Sequence, residues 1–460
     1  MKRRLGLVEQ GFTTIALVLF TDGPLRVLLT GGASQGDGSE SLGSSSLIQL
    51  VFLVIYTAVC CLLIRRWKQS VNLLLQEKFI LLLIGLAVAS VAWSYAPAIT
   101  VRRTVALVGT TLFGLYFATR YSIKQQLKLL GWALGIATIL SFLFILFLPK
   151  YGIMGGPIHP GIWRGIYTHK NNLGKVMVIG VIVFLILSTN FSKHRFVLWC
   201  GFSFSTLLLI FSTSKTSLII GILFLLFFCL YYAVQRRYGI TLPLVAALIL
   251  VSGAFSAQVA AKIYLPIVLS ETGSAIVENL PVLSKNENTV SSQPRQEEQS
   301  PQKATLENIQ TLTGRTKLWP LVLNSIKRRP WLGYGYSGFW QVTQEGKEIS
   351  QAVGSWASHA HNGLLNVWLD LGIVGVLIFL ASFTLTCVRI LNQLAKKVTL
   401  ENVWALSYLA YMVLANLTQT TLLERNNIFW LLYVAVVFSV LLKENDQQSP
   451  RMNSYAFSES

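Results

Sequence analysis

The sequence predicts an all-α, polytopic integral membrane protein with about twelve transmembrane helices and one large polar loop. Three observations carry that prediction. The 460 residues are 53% hydrophobic and only 12% charged, where soluble domains carry about 25% charged residues. The apolar residues gather in blocks, many of them close to the roughly 20 residues a helix needs to cross a bilayer. Basic residues cluster in alternate connectors between those blocks. A helix satisfies all its backbone groups internally, which an open sheet in lipid cannot do. The alternating pattern of a membrane β-barrel is absent. The net charge of +19 does not indicate nucleic acid, because the cations lie in short clusters between apolar blocks.

In order, the spans fall at 8–29, 47–64, 79–95, 104–119, 127–148, 173–190, 196–211, 216–234, 240–257, 363–388, 402–418 and 427–442. The opening Met1-Lys2-Arg3-Arg4 followed by apolar Phe12–Phe20 has the look of a signal peptide. A first membrane helix is favoured, because the apolar stretch continues past Pro24 to Leu29 and another span follows. Placing the N-terminus inside puts Arg65/Arg66/Lys68, Arg120/Lys124, Lys193/Arg195, Arg236/Arg237, Arg389/Lys396/Lys397 and Lys443 all on the cytoplasmic side. The chain therefore divides into N-terminal spans (1–257), a periplasmic loop (258–362), C-terminal spans (363–443) and a polar, mobile cytoplasmic tail (444–460). Within the loop, Ser284–Lys303 is poor in apolar residues and reads as disordered. Gly314–Arg329 places Leu318, Leu321, Val322, Ser325 and Ile326 at helical spacing, an amphipathic helix on the outer surface. Cys60, Cys61, Cys200, Cys229 and Cys387 lie in or beside apolar segments without metal spacing, and read as packing residues.

Cations in short outer connectors run against the positive-inside trend and need a reason. They are Arg102, Arg103, Lys150, Arg164, Lys170, Lys175, Lys215 and Arg425. Contact with lipid headgroups is one reason; a held anion such as a lipid phosphate is another. Five segments on that side concentrate polar chemistry. Trp163–Gly174 packs Arg164, His169, Lys170 and Asn171 before a span. Ser212–Ser217 sets Lys215 in a hydroxyl-rich turn, and Gly314–Trp319 holds Arg315 and Lys317. Ser358–Asn362 carries His359, His361 and Asn362, and Asn416–Asn426 carries Asn416, Glu424 and Arg425. Arg pairs with phosphate through two N–H groups, His moves protons and Asn donates to sugar hydroxyls.

Two patterns mislead. Gly333-Tyr334-Gly335-Tyr336-Ser337-Gly338 matches G-x-G-x-x-G, but no βαβ unit surrounds it, so a tight turn needing positive φ is the better reading. His359 and His361 offer half a metal site, with no third His or well-placed carboxylate nearby in sequence.

The order R-G-I-Y-T-H-K-N-N-L-G, S-T-S-K-T-S, G-R-T-K-L-W-P with R-P-W-L-G-Y-G, and H-A-H-N-G-L-L with G-I-V-G resembles the O-antigen ligase/polymerase family, nearest its exopolysaccharide-production polymerases. The likeness runs from Arg164 to Asn427. It implies a glycosyltransferase-C-like helical fold in the bacterial inner membrane, a periplasmic site, no metal and no cofactor. It implies an undecaprenyl-pyrophosphate-linked glycan donor and a glycan or lipid A core acceptor, with membrane lipids and other polysaccharide assembly proteins as partners. By motif, Arg315 and Lys215 would hold pyrophosphate and His361 would be the general base. Arg164, His169, Lys170, Asn171, His359, Asn362, Asn416 and Glu424 would support substrate. Ligases commonly carry Arg in the serine-rich turn; Lys215 keeps the charge but lacks the planar fork.

Such chemistry is physically coherent. Fixed cations stabilise a departing pyrophosphate, no nucleotide is required outside the cell, and an imidazole titrating near ~6.5 can take the acceptor proton. One-step displacement with inversion is expected. A transporter or flippase would place charges at mid-membrane, whereas the expected spans lack Asp, Glu, Lys or Arg near their centres, except Asp370 toward one end of its span and Arg26 in the first, and a pure scaffold leaves the ordered motifs unexplained. Polymerase is favoured over ligase by the family branch.

Overall fold

A computed structural model describes residues 2–32, 46–155, 160–190, 194–238, 315–340, 342–353 and 357–456. The described residues form α-helices without strands, save one isolated bridge between Ile153 and Trp163. The helices are α1 (Lys2–Phe20), α2 (Leu25–Leu29), α3 (Ser46–Ile64), α4 (Trp67–Gln76), α5 (Lys78–Ala89), α6 (Pro97–Arg120), α7 (Ile123–Phe147), α8 (Pro149–Gly152), α9 (Lys170–Asn190), α10 (Arg195–Phe211), α11 (Lys215–Tyr238), α12 (Arg315–Arg328), α13 (Gln344–Ala352), α14 (Gly363–Lys396), α15 (Leu400–Asn416) and α16 (Ile428–Ala456).

Among them, six are long and apolar enough to cross a membrane, and the bent pair α4–α5 would make a seventh. Gly6–Phe20, Arg195–Phe211 and Lys215–Cys229 are apolar but shorter. Helices occupy every expected span except 240–257, which lies outside the described residues together with the expected disordered segment Ser284–Lys303.

Four departures have physical causes. The expected span 8–29 is two helices: α1 stops at Phe20, Asp22 takes φ +67, and Pro24 caps α2. Apolar composition hid the break, and Arg26 leaves the supposed mid-membrane position. α6 begins at Pro97 rather than 104, because proline fits the first helical turn, where its missing N–H costs nothing. Arg102 and Arg103 therefore ride on a helix. α14 is broken at Gly372 (φ 69), where an added Cβ would lie 2.0 Å from the Trp331 carbonyl oxygen. The break lets Pro330–Leu332 dock, with Ile373 N–H donating to the Pro330 carbonyl at 2.8 Å. Finally, α16 continues to Ala456, so most of the expected mobile tail extends a helix.

Packing ranks the helices. α9 has 83% of its apolar window buried and α16 78%, against 22% for α3, so α9 and α16 form the centre and α3 faces outward. Small residues permit the close contacts, as expected where lipid removes any hydrophobic drive between helices. An added Cβ at Gly114 would meet the Leu431 carbonyl of α16 at 2.8 Å, and one at Gly174 would meet Ser214 and Ser217 at 2.8 Å.

One end of the bundle is tied by a network of basic side chains. There Arg66 donates to the Thr119 carbonyl (2.7 Å), Arg120 forks onto Glu9 (2.8 Å), Lys124 and Lys443 share Glu401 (3.7 Å each), and Arg389 bridges Glu77 and Glu444. Of the cations expected on one membrane side, Arg66, Arg120, Lys124, Arg389 and Lys443 thus gather together. The histidine segment lies at the opposite end, because α14 leaves from it and α15 returns to it: Asn362 Nδ2 donates to the Leu417 carbonyl at 3.1 Å.

Candidate active site

Short helix-to-helix segments build the second end. The Gly-rich turn 330–338 is packed in place: Gly333 and Gly335 hold φ 66 and 89, Tyr334 N–H donates to the Leu369 carbonyl (2.9 Å), and the Ser90 hydroxyl accepts from Tyr336 N–H (2.9 Å). Its G-x-G-x-x-G pattern is a structural turn. Tyr336 then donates to the Leu423 carbonyl (2.6 Å), and Arg103 donates to the Ser337 carbonyl (3.0 Å). The turn therefore ties α6 to segment 417–427.

The histidine segment is fixed at both backbone groups of one residue, Ala360. Trp319, fully buried on α12, donates to the Ala360 carbonyl at 2.9 Å. Ala360 N–H donates to Asn366 Oδ1 at 3.2 Å, and Asn366 Nδ2 reaches Asp370 Oδ2 at 3.4 Å. The two imidazoles stand edge to face with centroids 4.1 Å apart. His361 N–H donates to His359 Nδ1 at 3.2 Å, so neutral His359 carries its proton on Nε2. His361 itself takes φ +50, unusual for a residue with a Cβ.

A cavity opens between these segments. Its polar lining includes Asp22, Arg26, Arg103, Thr168, Asn172, Lys175, Ser358, His359, Asp370, Thr420, Glu424 and Arg425. Of six non-glycine residues with positive φ among those described, Asp22, Ser337, Leu423 and Asn426 line it, and His361 adjoins it. Strained backbone of this kind collects at functional sites.

The structure sorts the expected site residues. His359 and Glu424 line the cavity, Glu424 accepting from Asn427 Nδ2 at 2.7 Å. His361 stands against His359. Arg315 lies one helical turn before Trp319 and does not line the cavity. Lys215 is exposed at the start of α11, while its neighbours hold the turn: Thr216 and Thr418 hydroxyls meet at 2.8 Å. Lys170 and Asn171 do not line the cavity; from α9, Asn172, Lys175 and Val176 do, at helical spacing.

Four residues hold backbone in place. Arg164 is fully buried and gives its guanidinium to the carbonyls of Tyr151 (2.8 Å), Gly32 (2.6 Å), Lys150 (2.9 Å) and Thr168 (3.5 Å). Burial pulls that guanidinium below its usual pKa. His169 Nδ1 accepts from Asn171 N–H at the start of α9 (3.1 Å). Asn362 caps α14 by accepting from Leu365 N–H (3.0 Å), and Asn416 accepts from Thr421 N–H (2.9 Å) while donating to Met412 and Thr421.

The motif reading missed Arg26, Asn172, Lys175, Asp370 and Thr420 as cavity residues. Arg103, Lys175 and Arg425 were nonetheless flagged by their position as outer cations, the better signal. Chemically, four cations (Arg26, Arg103, Lys175 and Arg425) face three carboxylates (Asp22, Asp370 and Glu424). The Arg26–Asp22 pair is closed at 2.9 Å. Such a cavity can hold a multiply charged anion beside two imidazoles.

Residues 200–380 match the family described as O-antigen ligase. The matched stretch includes the serine-rich turn, Arg315, the packed Gly-rich turn and both histidines of the cavity rim. No curated protein matches the chain.

Proposed function

With an O-antigen ligase domain at residues 200–380, we propose that the chain is a bacterial inner-membrane glycosyltransferase that extends exopolysaccharide or O-antigen repeat units from an undecaprenyl-pyrophosphate donor. The observation that supports it most is the cation-lined cavity at the foot of the His359–His361 segment, within a bundle of membrane-length helices. The acceptor hydroxyl attacks the anomeric carbon, the bond from that carbon to the pyrophosphate oxygen breaks, and undecaprenyl pyrophosphate leaves. His361 takes the hydroxyl proton. His359 presents its Nε2–H, because its Nδ1 is occupied by the His361 amide. Arg103 and Arg425 in the cavity match the growing negative charge, an effect that acts without reorganisation, and Arg315, at the start of α12 outside the lining, adds its charge when its side chain swings in on donor binding. Lys215, exposed on its turn, guides the anion inward. In this reading fixed cations meet the charge and no metal is needed.

The site faces the periplasm in this proposal, because the opposite end carries Arg66, Arg120, Lys124, Lys397 and Lys443. In a cysteine-free background, a cysteine at Lys347 should react with an impermeant thiol reagent in intact spheroplasts. One at Gln125 should react only after lysis; the reverse pattern would invert the topology.

The domain's description as a ligase supports a second reading, transfer of the glycan to lipid A core. The two share a donor and differ in acceptor. A deletion strain separates them. Loss of polymer length with intact lipid A–glycan conjugates is the polymerase outcome. Normal-length lipid-linked polymer that never reaches lipid A selects ligase.

A further inference from the structure

Lys175 is a buried cation without an obvious protein counterpart. It sits in the second turn of α9, 9% exposed, and lines the cavity. Its ammonium lies 5.8 Å from the centroid of the Phe429 ring. Among the described residues it makes no ion pair and no side-chain hydrogen bond; the one bond at this residue is Tyr411 Oη donating to its carbonyl at 3.5 Å. A ring face attracts a cation but does not satisfy three N–H donors. A buried charge held this way is expensive unless an anion meets it.

A second residue lining the same cavity shows the same deficit. Thr420 is 3% exposed and lines the cavity, and its Oγ1 has no hydrogen-bond partner among the described residues. It follows Asn416, whose amide fixes the turn at Thr421. The hydroxyl is thus placed by a rigid segment, yet left to bond something in the cavity.

We infer that Lys175 and Thr420 form a built seat for a phosphate oxygen, and that its occupant is the diphosphate of the lipid-linked donor. The inference rests on the glycosyltransferase reading for the occupant's identity. The seat itself rests on the two unmatched groups. Arg26 is already closed on Asp22 and Arg103 already reaches the Ser337 carbonyl, whereas the Lys175 ammonium keeps its charge to give. In position the seat is distinct from Lys215 and Arg315, which lie off the cavity.

Binding of undecaprenyl pyrophosphate, undecaprenyl phosphate and inorganic pyrophosphate to the full-length protein in nanodiscs tests this. Wild type should bind undecaprenyl pyrophosphate most tightly. Lys175→Met should weaken it at least about tenfold, the scale of a lost hydrogen bond to a charged group. Lys175→Arg should retain most of the affinity. Thr420→Val should lose about fivefold while its melting midpoint stays the same or rises, since no protein bond is broken. A purely structural threonine would show the opposite pattern.

Unchanged affinity in a folded Lys175→Met protein, with the wild type binding and turning over donor, overturns the seat and leaves the glycosyltransferase reading standing. Lys175-dependent binding of inorganic pyrophosphate alone keeps an anion seat but removes the lipid donor, and the reading fails with it. No binding of any of the three by wild type overturns both. Should Lys175→Met not fold, Thr420→Val decides, and full affinity there overturns the seat.

Discussion

His361→Ala is expected to lower glycan transfer by about 100-fold or more, the usual scale for removing a general base, while donor binding survives. The geometry separates the two imidazoles. His359 Nδ1 is engaged by a backbone amide, so in the neutral ring its other nitrogen carries the proton and donates rather than accepts. His361 is held at φ +50 on a peptide anchored through Ala360 by Trp319 and Asn366. His359→Ala should therefore cost clearly less, and mainly in substrate orientation. Turnover and donor retention in the purified variants check this together. Loss of donor binding in His361→Ala would move that residue from proton transfer to anion holding. Equal activity of the two variants would defeat the assignment.

Arg315→Ala is expected to abolish detectable transfer in a protein that still folds. An unmatched charge on the departing pyrophosphate costs about 2–4 kcal/mol of transition-state stabilisation, by analogy with a lost oxyanion donor. Arg315 begins α12, one turn from the indole that holds the histidine segment, so the same helix sets both. Its removal leaves Trp319, Leu318, Val322 and Ile326 buried, so the helix has its packing without the cation. Polymer yield and a gel-filtration profile of the variant decide it. Near-normal polymer would make Arg315 an ordinary helix-start cation.

Much of the fold is legible in the sequence because lipid imposes one solution on long apolar blocks. The amphipathic α12 is equally readable: Leu318, Val322, Ser325 and Ile326 are buried as their spacing requires. Breaks inside apolar stretches are not readable by composition. Gly372 leaves the hydropathy of its stretch high, and the short run Thr21–Pro24 is outweighed by its apolar neighbours, yet each turns the chain and brings a polar residue toward the cavity. α4 was missed for a related reason. It is short and lies at 89° to α5, with exposed Trp67, Val71 and Leu75 at every fourth position.

The site was legible by segment more than by residue. Each segment singled out by its polar density lies at the second end of the bundle, but density alone does not tell a ligand from a strut. Arg164 illustrates the difference, since its four carbonyl partners come from residues as distant as Gly32. On α9 the helical period decides, and selects Asn172 and Lys175 over Lys170 and Asn171. Only the fold supplies that phase.

The most direct measurement is a reconstitution of the purified protein in liposomes with an undecaprenyl-pyrophosphate-linked oligosaccharide as sole substrate. Lipid-linked glycans should grow by whole repeat units, with one undecaprenyl pyrophosphate released for each new glycosidic bond. Movement of the intact donor across the bilayer without any new bond would contradict the glycosyltransferase reading.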